Sequence, residues 1–212
     1  MNSAHRFSRP DGSALIPGIL SAILAITVAG SAMAGADRPV LAYWAFNCFT
    51  TCGDANFIPE TVSQSPASMS SSFPPDDGTN ESGTPLNAIP PYEARAALTL
   101  RTGTGGANNG GTLTWRVNTT GFSGIRVSFA ARRSAAGFSS NQFQYTLDGT
   151  NFVNVGPPFD PGGSYALVSH DLRHVRGLND NPNAGFRIVF DGGSITSPGE
   201  FAAIDNLQVV GK

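Results

Sequence analysis

The chain has 212 residues, 40% hydrophobic, 9% aromatic and only 13% charged, with a formal net charge of -2; globular chains average about 25% charged residues, so it lacks charge rather than apolar material. Thirteen basic residues against 15 acidic ones leave no basic stripe for nucleic acid, which is excluded as an expected partner. The 25 Gly and 15 Pro make up about a fifth of the chain, below the roughly 25–30% that marks low-complexity sequence. Lys212 is the one lysine and Glu is scarce, which removes the possibility of a long charged helix.

The first 34 residues carry the three parts of a secretory signal peptide. His5, Arg6 and Arg9 form a basic start, Ala14 to Gly30 an apolar run, and Ala32 and Ala34 the small-residue site. Cleavage after Ala34 is expected, leaving residues 35–212 as one mildly acidic domain, secreted to the extracellular space or a bacterial periplasm. The apolar run is broken by Pro17, Gly18 and Ser21 and is short for a membrane span of about 17–25 residues. No later stretch is apolar enough to span, so no transmembrane segment is expected after removal of the signal. Cys48 and Cys52 both follow the cleavage site, and in an oxidising compartment they are expected to form a disulfide that shapes a turn more than it holds the fold. Two thiols alone are too few for a structural zinc site.

From residue 38 onward the apolar residues alternate with polar ones. Val40, Ala42, Trp44 and Phe46 share one parity, as do Leu113, Trp115 and Val117; Ile125, Val127, Phe129 and Ala131 face away from Arg126, Ser128 and Arg132. Phe143, Tyr145 and Leu147 alternate with Gln142, Gln144 and Thr146. A period of two predicts half-buried strands, and further strands are predicted at 96–101, 152–155, 165–172, 186–190 and 204–210. Punctuation such as Asp148-Gly149 and Asp191-Gly192-Gly193 places turns between them, the pattern of a sandwich or barrel. No segment shows a sustained helical period, so the fold class is all-β.

Two segments break the pattern. Residues 53–91 are rich in Ser, Pro, Thr and Gly, and a structureless loop of that length is uncommon in a compact domain; an edge strand is expected at Ala67 to Phe73, the remainder being mobile. Residues 102–111 hold five glycines and Asn108-Asn109. A phosphate-binding loop needs a Lys-Ser/Thr step before a helix, whereas a strand follows here, so this is a turn.

Three blocks together carry a resemblance: the opening AYWAFN at 42–47; NNGGTLTWRVN at 108–118 with QFQYTLDGTNF at 142–152; and the closing GFRIVF at 185–190 with Ile204-Asp205-Asn206-Leu207. The chain resembles the jelly-roll domain of secreted bacterial surface proteins of the PEP-CTERM type over most of residues 38–211, without their Pro-Glu-Pro sorting tail. The closing step is more distantly similar to MAM and laminin-G-like jelly rolls. The resemblance implies an antiparallel jelly-roll β-sandwich and export. It implies no shared activity, because fold does not carry function.

Catalytic patterns are sparse. His170 and His174 are four apart, but along a strand that spacing is about 13 Å, too far for one metal ion. Glycoside hydrolysis calls for paired carboxylates, and no Glu stands on a predicted strand beside an Asp of matching parity. No Gly-x-Ser-x-Gly elbow occurs. The expected role is therefore a non-catalytic module for cell-surface, matrix or glycan binding, the partner being an extracellular glycan or a surface protein. The alternative is a jelly-roll enzyme acting on extracellular polysaccharide. Aromatic rings that could stack on a sugar are Tyr43, on the face of its strand opposite Trp44, and Phe138, Tyr165 and Tyr92, in or near loops. Trp44 and Trp115 share parity with aliphatic neighbours and belong to the core.

One metal site is also expected. Asp205 has the parity of Leu207 and Val209, which points its carboxylate inward, and a buried carboxylate needs a partner. Structural Ca²⁺ would meet that need through oxygen ligands, with Asn47 at the end of the first strand as second ligand, since first and last strands often pair in jelly rolls. An Arg, loop amides or solvent past a bulge would serve equally.

Overall fold

The computed structural model describes residues 38–47, 59, 61–62, 66–74, 81–92 and 94–212. The expected signal peptide and the Cys48–Cys52 pair lie outside the described residues. Among the described residues twelve strands run as β1 (Val40–Trp44), β2 (Thr61–Val62), β3 (Ala67–Ser71), β4 (Glu81–Ser82), β5 (Ala96–Arg101), β6 (Gly111–Val117), β7 (Arg126–Arg133), β8 (Ser140–Thr146), β9 (Phe152–Asn154), β10 (Ala166–Asp171), β11 (Gly185–Asp191) and β12 (Phe201–Val210). The helical residues among those described are two three-residue 3₁₀ turns, Thr104–Gly106 and Arg176–Leu178. No helix among the described residues is long and apolar enough to cross a membrane.

All pairings are antiparallel and form two sheets. In the first, β10, β7, β12, β1 and β2 lie in order, with β5 also against β12 and β4 against β5; the second runs β3-β6-β11-β8-β9. From β5 to β8 the chain changes sheet at every step, and it does so again from β9 through β12. This alternation makes the fold a jelly-roll β-sandwich, the all-β class that the strand pattern predicts and the architecture that the resemblance implies. The predicted edge strand in the Ser/Pro-rich segment is β3, paired with β6.

The core follows directly from the alternation. Trp44, Leu98, Leu100, Val127, Phe129, Ile204, Leu207 and Val209 from the first sheet meet Met69, Leu113, Trp115, Phe143, Phe186, Ile188 and Phe190 from the second. Every one of these is at most 7% exposed.

The strand β12 holds the first sheet together and contains one of its two register shifts, the other lying between Val40 and Ala42 of β1. Its first half pairs with β5 (Phe201↔Arg101 to Ile204↔Leu98) and its second half with β1 (Leu207↔Trp44 to Val210↔Val40), while β7 lies along its other edge. The register shifts between Asp205 and Gln208, where Asn206 has φ of 50°. An extra residue reverses the side-chain alternation, so Ile204 and Leu207 both enter the core. Asp205 consequently faces the outside of the sheet, a correction to the parity reading. It is nevertheless only 1% exposed, because residues 83–92 lie over it.

That covering segment is a strap. Asp205 Oδ2 accepts the Thr84 N–H (2.7 Å), Asn206 Nδ2 donates to Thr84 O (2.6 Å) and Leu86 O (3.0 Å), and Asn87 Nδ2 donates to Asn206 O (2.6 Å). Tyr43 Oη donates to Asn206 Oδ1, and Tyr92 packs on the Tyr43 ring at 5.3 Å. Ala97, Ala130 and Ala203 of the same sheet are also wholly buried. Gly83 is required in the strap: a Cβ there would sit 2.6 Å from Ala96 O and 2.7 Å from Asp205 Oδ2.

Candidate functional site

The strap covers Tyr43, Asp205 and Asn206 on the outer face of the first sheet; on the outer face of the second, none of Ser70, Thr114, Arg187, Gln144 and Asn154 is buried among the described residues. Opposed residues there follow the register. Ser70 lies opposite Thr114, Thr114 opposite Arg187, Arg187 opposite Gln144, and Gln144 opposite Asn154. One row of hydrogen-bonding side chains therefore crosses all five strands, β3-β6-β11-β8-β9, over about 19 Å at 4.8 Å per strand step. Each stands outward because its chain neighbours Met69, Leu113, Trp115, Phe186, Ile188 and Phe143 point into the core.

The row is organised at its centre. Arg187 Nε donates to Gln144 Oε1 (2.7 Å), Gln144 Nε2 donates to Asn154 Oδ1 (2.7 Å), and the guanidinium lies over the Phe152 ring with Cζ 3.9 Å from its centroid. Burial pushes the Arg187 guanidinium down from its ordinary value. Flanking rows contain Ser68, Arg116, Gly185, Thr146 and Phe152 on one side and Thr112, Val189 and Gln142 on the other. The β8–β9 turn is fixed by Asp148, whose Oδ1 accepts the N–H groups of Thr150 (2.8 Å) and Asn151 (2.7 Å). Those bonds hold the Asp148 carboxyl well below the usual carboxylate range. Arg116 donates to Gly149 O (2.6 Å) and ties the turn to β6.

A second concavity of about 440 Å³ opens between the β7–β8 and β11–β12 loops, lined by Arg133, Ala135 to Gly137, Ser139 and Gly192 to Thr196. Its polar groups are spent internally. Arg133 forms a two-bond pair with Asp160 (2.7 and 2.8 Å) and also donates to Ser134 O and Ala135 O, while Glu200 accepts the Ala136 N–H. The open sheet face is the better supported site.

The aromatic candidates from sequence are not brought together. Tyr43 is wholly buried beneath the strap: it lies on the expected face, but that face is covered. Phe138 is wholly buried as well, packed edge-on against Phe73 and Phe190 at 5.7 Å. Neither ring is open to a ligand, which corrects the expectation for both. Tyr165 is half-buried beside the strap, donating to Ser82 O (2.8 Å) with the Arg132 guanidinium 5.2 Å from its ring; Arg132 in turn pairs with Glu81 at 3.0 Å. Desolvation pushes the Tyr165 hydroxyl pKa up.

Asn47 and Asp205 each hold backbone amides of neighbouring segments. Asn47 Oδ1 accepts the N–H groups of Arg95 (3.1 Å) and Ala96 (3.2 Å), and Asp205 Oδ1 accepts that of Asn206 (2.9 Å). These are hard oxygen donors of the kind Ca²⁺ takes, and each also serves as an acceptor for backbone amides. Among the described residues no three His, Cys, Asp or Glu side chains gather to hold a metal ion. His170 and His174 are not a pair either: His170 points inward, stacked on Phe143 at 3.8 Å.

The row itself escaped the sequence reading, which sought exposed aromatics. The alternation of 142–146 and 112–117 placed Gln144 and Thr114 outward, and the same parity in GFRIVF puts Arg187 there. Their alignment depends on strand register.

No protein-family model matches the chain, and no curated protein matches it. Among solved structures it is similar to the N-terminal CBM22 tandem domain from Paenibacillus barcinonensis Xyn10C, with TM-score 0.45 and 11% identity over 85% of this chain and 47% of that one. It is also similar to TmCBM61 in complex with β-1,4-galactotriose (TM-score 0.37, 10% identity, 70% and 90% covered) and to a family 29 carbohydrate-binding module (TM-score 0.37, 18%, 69% and 93%). The fold assignment rests on the strand pairing described above.

Proposed function

We propose that the protein is a glycan-binding β-sandwich whose ligand lies across the open face of the second sheet. The observation that carries this reading is the Ser70–Thr114–Arg187–Gln144–Asn154 row: hydroxyl and amide groups, partly pre-ordered by mutual hydrogen bonds, spaced along a line that suits a chain rich in hydroxyls. Pre-ordering lowers the entropic cost of binding. The proposed role is non-catalytic, since hydrolysis of a glycosidic bond normally uses two carboxylates flanking it and the row contains none. We place it outside the cytoplasm, with residues 1–34 removed as a signal peptide and Cys48 bridged to Cys52.

Affinity electrophoresis of the domain in gels cast with different polysaccharides tests the reading. At least one polysaccharide should retard it, and the double variant Gln144→Ala/Asn154→Ala should weaken that retardation about tenfold, as for loss of one or two net hydrogen bonds. Full retardation of the double variant would move the site elsewhere, and release of reducing sugar would favour the enzyme.

A structural Ca²⁺ ion held by Asp205 and Asn47 is likewise proposed, and calorimetric melting decides it. A cation bound to the native state raises the midpoint, so millimolar Ca²⁺ should shift it above the value in chelator, and Asp205→Ala should abolish the shift. Identical midpoints would leave Asp205 to the loop amides alone.

A further inference from the structure

We propose that the open face selects acidic glycans, chains bearing uronic-acid carboxylates, and that Arg187 is the residue that reads the carboxylate. This rests on the glycan-binding reading and specifies its ligand class.

Arg187 leaves part of its guanidinium unused. Its Nε is committed to Gln144 and its plane to Phe152, so its two terminal amino groups have no partner among the described residues. Arg126, Arg132, Arg133 and Arg173 are each paired with an Asp or Glu, whereas Arg187 and Arg116 on this face are not. No carboxylate stands in the central row or in the two rows flanking it. Neither Asp191 nor Asp148 forms an ion pair with Arg187. Asp191 lies two outward positions along β11, about 13 Å from Arg187, and accepts the N–H of Gly192; Asp148 is spent on its own turn. A chain of net charge -2 thus presents on this sheet face two guanidinium groups that have no ion-pair partner among the described residues.

The chemistry of the neighbours selects the anion. A guanidinium with one edge free offers two parallel N–H donors, which match a carboxylate. The stacked Phe152 and the Gln144 bond hold that edge in place, and partial burial strengthens the charge–charge contact. Ser70, Thr114 and Asn154 on either side offer hydroxyl and amide groups, which complement sugar hydroxyls better than the side chains of an acidic peptide.

The test compares polygalacturonate, its methyl ester and neutral galactan, with the wild-type domain, by affinity electrophoresis and calorimetry. Polygalacturonate should bind at least tenfold more tightly than the ester, with an affinity that falls as salt rises. Arg187→Gln should remove that preference, and Arg187→Lys should weaken binding because it keeps the charge and loses the paired donors. Equal binding of acid and ester by the wild type overturns the proposal even if neither variant folds. Binding of galactan alone, lost in the Gln144/Asn154 double variant, leaves the glycan reading standing and this one overturned. Failure of all three polysaccharides overturns the acidic-glycan proposal, and a broader panel then tests the parent reading separately.

Discussion

Lowering the pH from about 7 to about 4 should cost the domain on the order of 3 kcal/mol of folding stability, through one residue, His170. Its imidazole is stacked on Phe143 with ring centroids 3.8 Å apart and planes 7° from parallel, and Phe129 and Phe159 lie at 6.2 and 6.1 Å. Its Nε2 is buried without a hydrogen-bond partner. Burial disfavours the charged ring and lowers its pKa from 6.5 to about 4. The folded protein therefore holds His170 neutral while the unfolded chain takes up a proton from about pH 6.5 downward. Stability is fully present above that value, is lost as pH falls toward about 4, and levels off below it. The carboxyl groups of Asp160 and Glu200 are shifted down, so their contributions are lost only nearer pH 4 and under, which separates the two windows. Urea melts at half-unit steps from pH 7.5 to 4 should show the decline, and His170→Phe should flatten it. A wild-type curve already flat between pH 6.5 and 4.5 would mean that the imidazole is charged in the fold.

Asn206→Ala should be comparably damaging, about 3 kcal/mol. The residue sits at φ of 50°, a conformation Asn tolerates better than Ala, and its side chain donates to two strap carbonyls and accepts from Tyr43. Each bond adds about 1 kcal/mol net, and groups left buried without partners add to the loss. Asn206→Gly keeps the backbone conformation and loses the bonds, so it should fall between wild type and alanine. The strap should also open: limited proteolysis ought to cut within residues 83–92 in the alanine variant well before the rest of the domain. A variant that melts and resists protease like the wild type would show that Asp205 and Asn87 hold the strap without Asn206.

Local pattern alone determined the all-β class, most strand positions and most of the inter-sheet core, because alternation with period two follows from the pleat and does not depend on the partner strand. Val127, Phe129, Phe143, Trp115 and Trp44 could be assigned to the interior from their neighbours' polarity. Tyr43 and Asp205 could not be placed the same way. Tyr43 lies on the face of β1 opposite Trp44, as its parity requires, yet it is buried because a segment some 40 residues further on folds over it. Asp205 carries the parity of Leu207, and one inserted residue at Asn206 turns it to the opposite face. The candidate site was equally out of reach: Ser70, Thr114, Arg187, Gln144 and Asn154 come from five separate stretches, and only the pairing register of β3, β6, β11, β8 and β9 sets them in line. Burial on a sheet's outer face and alignment across strands are relations between distant segments, set by strand order, register and bulges, and the tertiary structure alone decides them.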